Sequence, residues 1–238
     1  MELNADFSQR AAVHAARLAW VPSPVAGVER RMLDRIGDEV ARATSIVRYA
    51  PQSRFSPHTH DGGEEFVVLD GVFQDEHGDY PAGSYVRNPP TSHHRPGSQS
   101  GCVLFVKLWQ FDLADRTPVR VGAANMAYAL APGRPGVKTT PLFRDANEDV
   151  RLERWGPGAE IALPTPGGAE FLVLDGGFAE DEDRFDQHSW LRLPCGNELR
   201  ATSGSQGCTV WVKTGHLRRI QGAASLVAAA STADARPG

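Results

Sequence analysis

Three histidines and one glutamate are the residues in this chain best suited to chemistry: His58, His60, Glu64 and His94. The first three lie in PHTHDGGEEFVVLDG (57–71), with the histidines two apart and Glu64 four residues after His60. The fourth closes GSYVRNPPTSHH (83–94). Three neutral imidazoles and a carboxylate suit a divalent transition metal, with iron(II) and zinc first and manganese, nickel and copper also compatible, better than magnesium or calcium. On an octahedral ion four such ligands leave positions for water, dioxygen or a bidentate substrate. On zinc the same four can close a tetrahedron. Glu64 has a second possible role, as a base that swings off the metal.

The elements that must deliver these side chains follow from the spacing. Residues i and i+2 of a strand share a face, so His58 and His60 can point into one interior. Asp61-Gly62-Gly63 supplies a turn in which glycine tolerates positive φ. Glu64 then opens the strand EEFVVL, with Phe66 and Val68 on its face. His94 must arrive from a distant strand after the breaker Asn88-Pro89-Pro90. His93 is the rival fourth ligand, but neighbouring strand residues face opposite ways. Phe66, Val68, Tyr85 and Phe105 are candidate walls of a substrate pocket, with plain core packing as their alternative role.

The sequence repeats internally. EFVVLDGVF (65–73) returns as EFLVLDGGF (170–178), GCVLFVK (101–107) as GCTVWVK (207–213), YVRNP (85–89) as WLRLP (190–194), and RYAP (48–51) as RWGP (154–157). The chain therefore reads as two domains in tandem, about 25–115 and about 116–220, after an extension over 1–24 and before a small, polar tail over 221–238 that is expected to be mobile. In the second copy the ligand positions hold Leu163, Thr165, Ala169 and Leu199, none of which can bind a metal in that role. Features present in both copies serve the fold: Glu65 and Glu170, Gly71 and Gly176, Phe73 and Phe178, Arg87 and Arg192, Cys102 and Cys208, Lys107 and Lys213. On this reasoning Arg87 and Lys107 are structural. Leu163 and Leu199 are expected to line a dry core.

The two-part pattern around His58, His60, Glu64 and His94 resembles the metal motif of the cupins, small β-barrels. The wording HTHDGGEEFVVLDGVFQDEHGDYPAGSYVRNPPTSHH, followed by GCVLFVKL, resembles the ChrR-type cupins over nearly the whole first repeat. That resemblance implies an all-β fold of tandem double-stranded β-helix (jelly-roll) barrels, a bicupin, with the metal on the four residues named. Two positions depart from the pattern: Thr91 stands where a glycine is usual, and Ser98 where an asparagine is usual. In the ChrR protein such a cupin is the sensing half of a zinc-binding anti-sigma factor. The separate sigma-binding domain and its His/Cys zinc motif have no counterpart here, so that function is not carried over. Other cupins of this kind are iron dioxygenases, including enzymes that cleave β-diketones. Two readings follow: a non-haem metal-dependent dioxygenase acting on a small enolisable or diketone-like molecule, or a zinc-binding sensor or small-molecule binding module without catalysis. Cupins pair through strand edges, which makes a homodimer the expected state.

Composition narrows the partners. The 238 residues carry a net charge of −4, with no basic stretch that suggests nucleic acid or an anionic membrane. No apolar run reaches the length of a membrane helix, and the polar start MELNADFSQR lacks a signal pattern, so a cytoplasmic location is expected. The three cysteines include no CxxC. Cys102 and Cys208 sit in apolar strand-like runs and should be buried thiols. RAAVHAARL before residue 20 is the one helix expected, with His14 exposed on it, and His188 and His216 are read as isolated surface or capping residues. Asp75-Glu76-His77-Gly78-Asp79 predicts a hairpin turn.

Overall fold

The computed structural model describes residues 1–38 and 40–220. Among these there is no α-helix, only three single-turn 3-10 segments. Among the described residues no helix is long and apolar enough to cross a membrane. The strands form two units, one of residues 1–5 and 19–125, the other of residues 6–18 and 126–220. The expected tail over 221–238 lies outside the described residues.

In the first unit the main sheet runs Glu2–Leu3, Val28–Gly37, Ala41–Tyr49, Cys102–Leu108, Glu64–Asp75, Tyr85–Asn88, Val119–Val121, every neighbour antiparallel. A separate two-stranded ribbon joins His58–His60 to Ser92–His94. Strand alternation sorts the central residues. Phe66, Val68, Val86, Leu104 and Val106 form the buried apolar interior, while Glu65 sits opposite both Arg87 and Lys107 on the other face. The expected hairpin is present, with Asp75 paired to Gly78 across it.

The second unit repeats this plan. Its sheet runs Ala129–Leu130, Val137–Arg144, Asp149–Trp155, Asn197–Thr214, Ala169–Glu180, Ser189–Leu193, Ala11–His14. Glu170 faces Arg192 and Lys213 just as Glu65 faces Arg87 and Lys107. Both triads are buried, and Lys107 Nζ donates to Thr44 Oγ1 at 3.0 Å while Lys213 Nζ lies 2.9 Å from Glu148 Oε2. A charged group this deep is retained only with partners, which agrees with a scaffold role for these cations. Each copy also carries a bulge at the same place: Leu69 and Leu174 are skipped in the pairing with the neighbouring strand. Just beyond it the chain turns through Gly71 (φ 70°) and Gly176 (φ 69°), where an added Cβ would lie 2.1 and 2.2 Å from the carbonyl oxygens of Gly101 and Gly207. Only glycine fits there.

Two expectations are corrected. Residues Ala11–His14 form a strand, not a helix, and a 3-10 turn over Ala15–Arg17 follows. The weak helical preference of RAAVHAARL yields to the open hydrogen-bonding edge of Ser189–Leu193, which this strand covers. His14 is accordingly half-buried, with Nδ1 3.1 Å from Ser189 Oγ and its ring 5.5 Å from Phe185. His216 is not a surface residue: its side chain is 5 % exposed and its Nε2 lies 2.9 Å from the buried Glu170 Oε1. Gly215, at φ 91°, turns the chain to place it there. By contacts the first unit runs on to Asn125, since Val119–Val121 pairs with Tyr85–Asn88. Cys102 and Cys208 are buried free thiols and Cys195 is exposed. Burial pushes the thiol of Cys102 up to about 11 and that of Cys208 up to about 12, so both are inert at neutral pH.

Candidate metal centre

Two short strands deliver the histidines. In the ribbon, His58 pairs with His94, Thr59 with His93 and His60 with Ser92. Paired residues project to one side, so His58, His60, Ser92 and His94 share a face while Thr59 and His93 share the other. His93 is exposed, and His94 is the residue that meets the others. The intervening turn needs its glycines for two separate reasons. Gly63 has φ 76°, and a Cβ on Gly62 would sit 2.1 Å from the Trp109 ring. Glu64 then starts its strand opposite Asn88.

The loop that brings in His94 turns at Pro89 and Pro90, with Ser92 N donating to Pro89 O at 3.1 Å and Thr91 N to His60 O at 2.9 Å. Thr91, the residue that stands where glycine is usual, has φ 71°. A β-branched side chain in the left-handed region is strained by about 1–3 kcal/mol. Thr91→Gly is therefore expected to stabilise the first unit by about 0.5–1 kcal/mol, after the greater unfolded-state freedom of glycine is subtracted. Denaturant unfolding would show this as a higher midpoint at unchanged slope, and a lower midpoint would contradict the strain argument.

The donor atoms converge. His60 Nε2 lies 2.9 Å from His94 Nε2 and 3.3 Å from Glu64 Oε2, and His94 Nε2 lies 3.7 Å from the same carboxylate oxygen. The ring of His58 is 4.7 Å from that of His60 and 5.1 Å from that of His94. An ion with bonds of about 2.1 Å separates adjacent ligand atoms by about 3 Å in an octahedron and about 3.4 Å in a tetrahedron. The spacings among His60, His94 and Glu64 suit such an ion, and the three histidines bring their ligand atoms within 4.8 Å of one another. The donor set passes the chemical test as well: soft-to-borderline nitrogens with one anionic oxygen, in a half-closed site where the His58 side is exposed.

Neighbouring groups orient this set. Asn88 Nδ2 donates to Glu64 Oε2 at 3.1 Å, and both are buried. Asp75 Oδ2 lies 3.4 Å from His94 Nδ1, the geometry that commits Nδ1 to the proton and leaves Nε2 as the donor to a metal. His58 Nδ1 lies 3.2 Å from Ser56 O, which does the same for His58. Burial holds the His60 pKa below the usual histidine range and keeps its ring neutral, despite the carboxylate of Glu64. Burial acts in the same direction on His94, but Asp75 and Glu64 outweigh it and raise the pKa. A histidine raised between two carboxylates marks a place where the protein favours positive charge. Burial opposes ionisation of Asp75, yet His94 and the His77 amide together lower its pKa.

Of the four pocket candidates, two lie on the strand face that Glu64 shares. Phe66 and Val68 lie on the Glu64 face of the strand, in the interior cluster. Tyr85 and Phe105 do not: each pairs with Val67, on the opposite face. Tyr85 OH donates to Glu65 Oε1 at 2.7 Å, among the structural groups. The register that decides this slips by one residue with every side chain changing face, so the separate strand sequences could not reveal it. The missed neighbours are Asn88, Asp75 and Phe73, whose ring is 5.8 Å from His94 and 4.7 Å from Phe66. The bulge at Leu69 inverts the alternation, turning the odd-numbered Phe73 and Asp75 toward the same interior as the even-numbered Glu64, Phe66 and Val68. A glycine inside the strand pattern, Gly71, was the available signal.

The second unit shows the same frame without the chemistry. Leu163 pairs with Leu199 where His58 pairs with His94, and Thr165 pairs with Asn197 where His60 pairs with Ser92. Leu163 and Leu199 pack in the apolar core, and Thr165 Oγ1 donates to Asn197 O at 2.9 Å.

The family model of the ChrR Cupin-like domain matches residues 8–112 and again residues 118–218. Among solved structures, a candidate dioxygenase from Nostoc punctiforme is similar at TM-score 0.74 and 14% identity, over 90% of this chain and 85% of that one. A bacterial pirin from Escherichia coli in complex with nickel(II) is similar at TM-score 0.61 and 14% identity, over 87% of this chain and 98% of that one. A Lactobacillus farciminis oxalate decarboxylase in a formate complex is similar at TM-score 0.60 and 10% identity, over 86% of each chain. At these identities the likeness establishes the tandem barrel fold. No curated protein sequence matches the chain.

Proposed function

The chain belongs to the family of ChrR cupin-like domains, and from that premise we propose that its first barrel binds one divalent transition metal on His58, His60, Glu64 and His94 and acts as a non-haem metal-dependent dioxygenase on a small enolisable, diketone-like molecule. One observation supports the reading: His58, His60 and His94 gather in one copy of a duplicated frame, with Glu64 beside His60 and with Asn88 and Asp75 as neighbours, and leucine packing takes their place in the other. Iron(II) is the ion proposed, and zinc, manganese, nickel and copper fit the same donors. When bound, the metal would supply Lewis acidity and sites for oxygen and substrate.

The residues of the chain do the rest. His60 is kept neutral and ready to ligate by its burial. Glu64 either completes the ligand set or, steadied by Asn88, accepts the proton of an acidic C–H group. Phe66, Val68 and Phe73 give an apolar wall that excludes water from one side. The His58 side, open to solvent, admits the ligand. A cytoplasmic homodimer that binds a small molecule, rather than nucleic acid or membrane, completes the proposal.

A second reading draws on the same four donors: on zinc they can close a tetrahedron, giving a binding or sensing module without turnover. The test is metal analysis of protein purified without a metal-affinity tag, paired with oxygen uptake in the presence of iron(II) and a panel of β-diketones. About one iron per chain with substrate-dependent oxygen consumption is the expected result. One tightly held zinc, and no oxygen consumption after iron reconstitution, would replace the enzyme with the module.

A further inference from the structure

Ser92 belongs to neither the ligand motif nor its usual neighbours, yet it stands on the histidine face. It pairs with His60 in the two-stranded ribbon and lies two residues before His94 on its own strand. Both relations place its side chain on the side to which His58, His60 and His94 project. Its hydroxyl oxygen is buried and has no hydrogen-bond partner among the described residues. A buried hydroxyl without a partner is less stable than one that is satisfied, and serines of this kind are usually completed by a ligand or an ordered water. The duplicated frame gives the contrast. In the second copy Asn197 takes the Ser92 position and is exposed, and the polar side chain facing it, Thr165, is satisfied by a backbone carbonyl. Nothing in the fold therefore requires a buried hydroxyl at this point of the ribbon.

We propose that Ser92 is a specificity-determining residue: its hydroxyl donates a hydrogen bond to an oxygen atom of the small ligand held at the metal position, and so favours ligands that present an oxyanion, as a carboxylate or an enolate does. Cross-strand partners have Cβ atoms about 5 Å apart. An oxygen bound beside His60 on an ion about 2.1 Å from Nε2 falls within reach of a hydroxyl at that place. The hydroxyl has one proton to give, and the three imidazoles, engaged through Nε2 with the ion, offer none on this side. Ser92 is then the group in the ribbon that distinguishes an anionic oxygen from a neutral one. The inference rests on the metal-site reading above.

The experiment separates the two. Wild-type, Ser92→Ala and Ser92→Thr proteins are loaded with cobalt(II), the bound cobalt is counted, and acetate is then titrated while the visible cobalt spectrum is followed. Equal cobalt in all three, with acetate binding weakened about 5–10-fold in Ser92→Ala and restored to within about twofold in Ser92→Thr, is expected for the loss of one hydrogen bond to a charged oxygen. Equal cobalt and equal acetate affinity in Ser92→Ala overturns the role of Ser92 and leaves the metal site intact. Loss of cobalt in Ser92→Ala alone also overturns it, since the residue would then support the ligands rather than the bound molecule. Failure of the wild type to take up cobalt removes the metal site, and this inference with it.

Discussion

His60→Ala protein is expected to leave purification with metal near zero per chain, against about one in the wild type, and to keep its β-sheet circular dichroism. The reasons are local. His60 is the donor whose Nε2 lies within 3.3 Å of both the His94 nitrogen and the Glu64 oxygen, so its removal opens the centre of the set rather than its rim. His58, on the exposed side, is the donor most easily replaced by water. Loss of one of four ligands from a transition-metal site weakens binding by several orders of magnitude, whereas loss of an orienting neighbour costs about 10–100-fold. Glu64 and His94 remain in the variant, and without an ion between them they can pair with each other at 3.7 Å, which is why the fold should persist. Stoichiometric metal in His60→Ala protein would remove this residue from the ligand set. Metal bound by the second unit, shown by retention in a triple His58, His60, His94 alanine variant, would contradict the dry core over Leu163 and Leu199.

The second large effect is one of stability. Glu153 is completely buried in the second unit. Arg134 grips its carboxylate with two bonds of 2.6 and 2.8 Å, Arg151 Nε donates at 2.7 Å and Trp155 Nε1 at 2.7 Å. Burial alone would raise the pKa of this group, but the two arginines and Trp155 overcome it, and the net direction is downward. Glu153→Gln keeps the shape and removes the charge, which leaves two guanidinium groups facing a neutral amide that also carries donors of its own. Breaking a buried pair in this way costs about 3–5 kcal/mol, and the unfolding midpoint of the second unit should fall accordingly. The pH dependence has a definite sign. A carboxylate with a depressed folded pKa contributes its full stability above its unfolded value of 4.5, and the contribution is lost as pH falls through the lower folded value. The wild type should therefore lose stability in acid over that window, and Glu153→Gln should lose less. An unfolding midpoint unchanged by the substitution at neutral pH would show that the cluster contributes little.

The parts legible in the sequence were those set by residue type and local spacing. The histidine pair, the glycine turn and the carboxylate follow from strand alternation within one short segment, and the structure brings those side chains together. Repetition of whole phrases revealed the tandem frame, and even the leucines that replace the ligands could be located by counting. What stayed hidden depends on pairing between segments. Tyr85 and Phe105 were misplaced because their register against Val67 is a property of two strands at once. Phe73 and Asp75 were missed because one bulged residue, Leu69, reverses the alternation downstream. Ala11–His14 became a strand because of an edge formed by residues far along the chain, and local helix preference is weak against an open ladder. His216 gave no signal at all, since a buried carboxylate partner is invisible in a lone histidine.

That edge also governs the order in which the molecule can be completed. Val13 and His14 pair with Trp190 and Ser189, and the His14–Ser189 contact spans 175 positions of chain. At about 5–20 residues per second, a ribosome needs roughly 9–35 s to make the intervening length. Over that interval every strand of the first barrel becomes available, while the early segment of the second waits unpaired. The first barrel can close during synthesis, and the second cannot lock until its last strands return to a segment made at the outset. Ser189–Leu193 is buried at all five positions, so a chain that lacked residues 6–18 would emerge with an intact metal barrel and a partner barrel whose apolar edge lies open to other chains. Insolubility of such a chain would thus report on the second barrel, not on the integrity of the metal site.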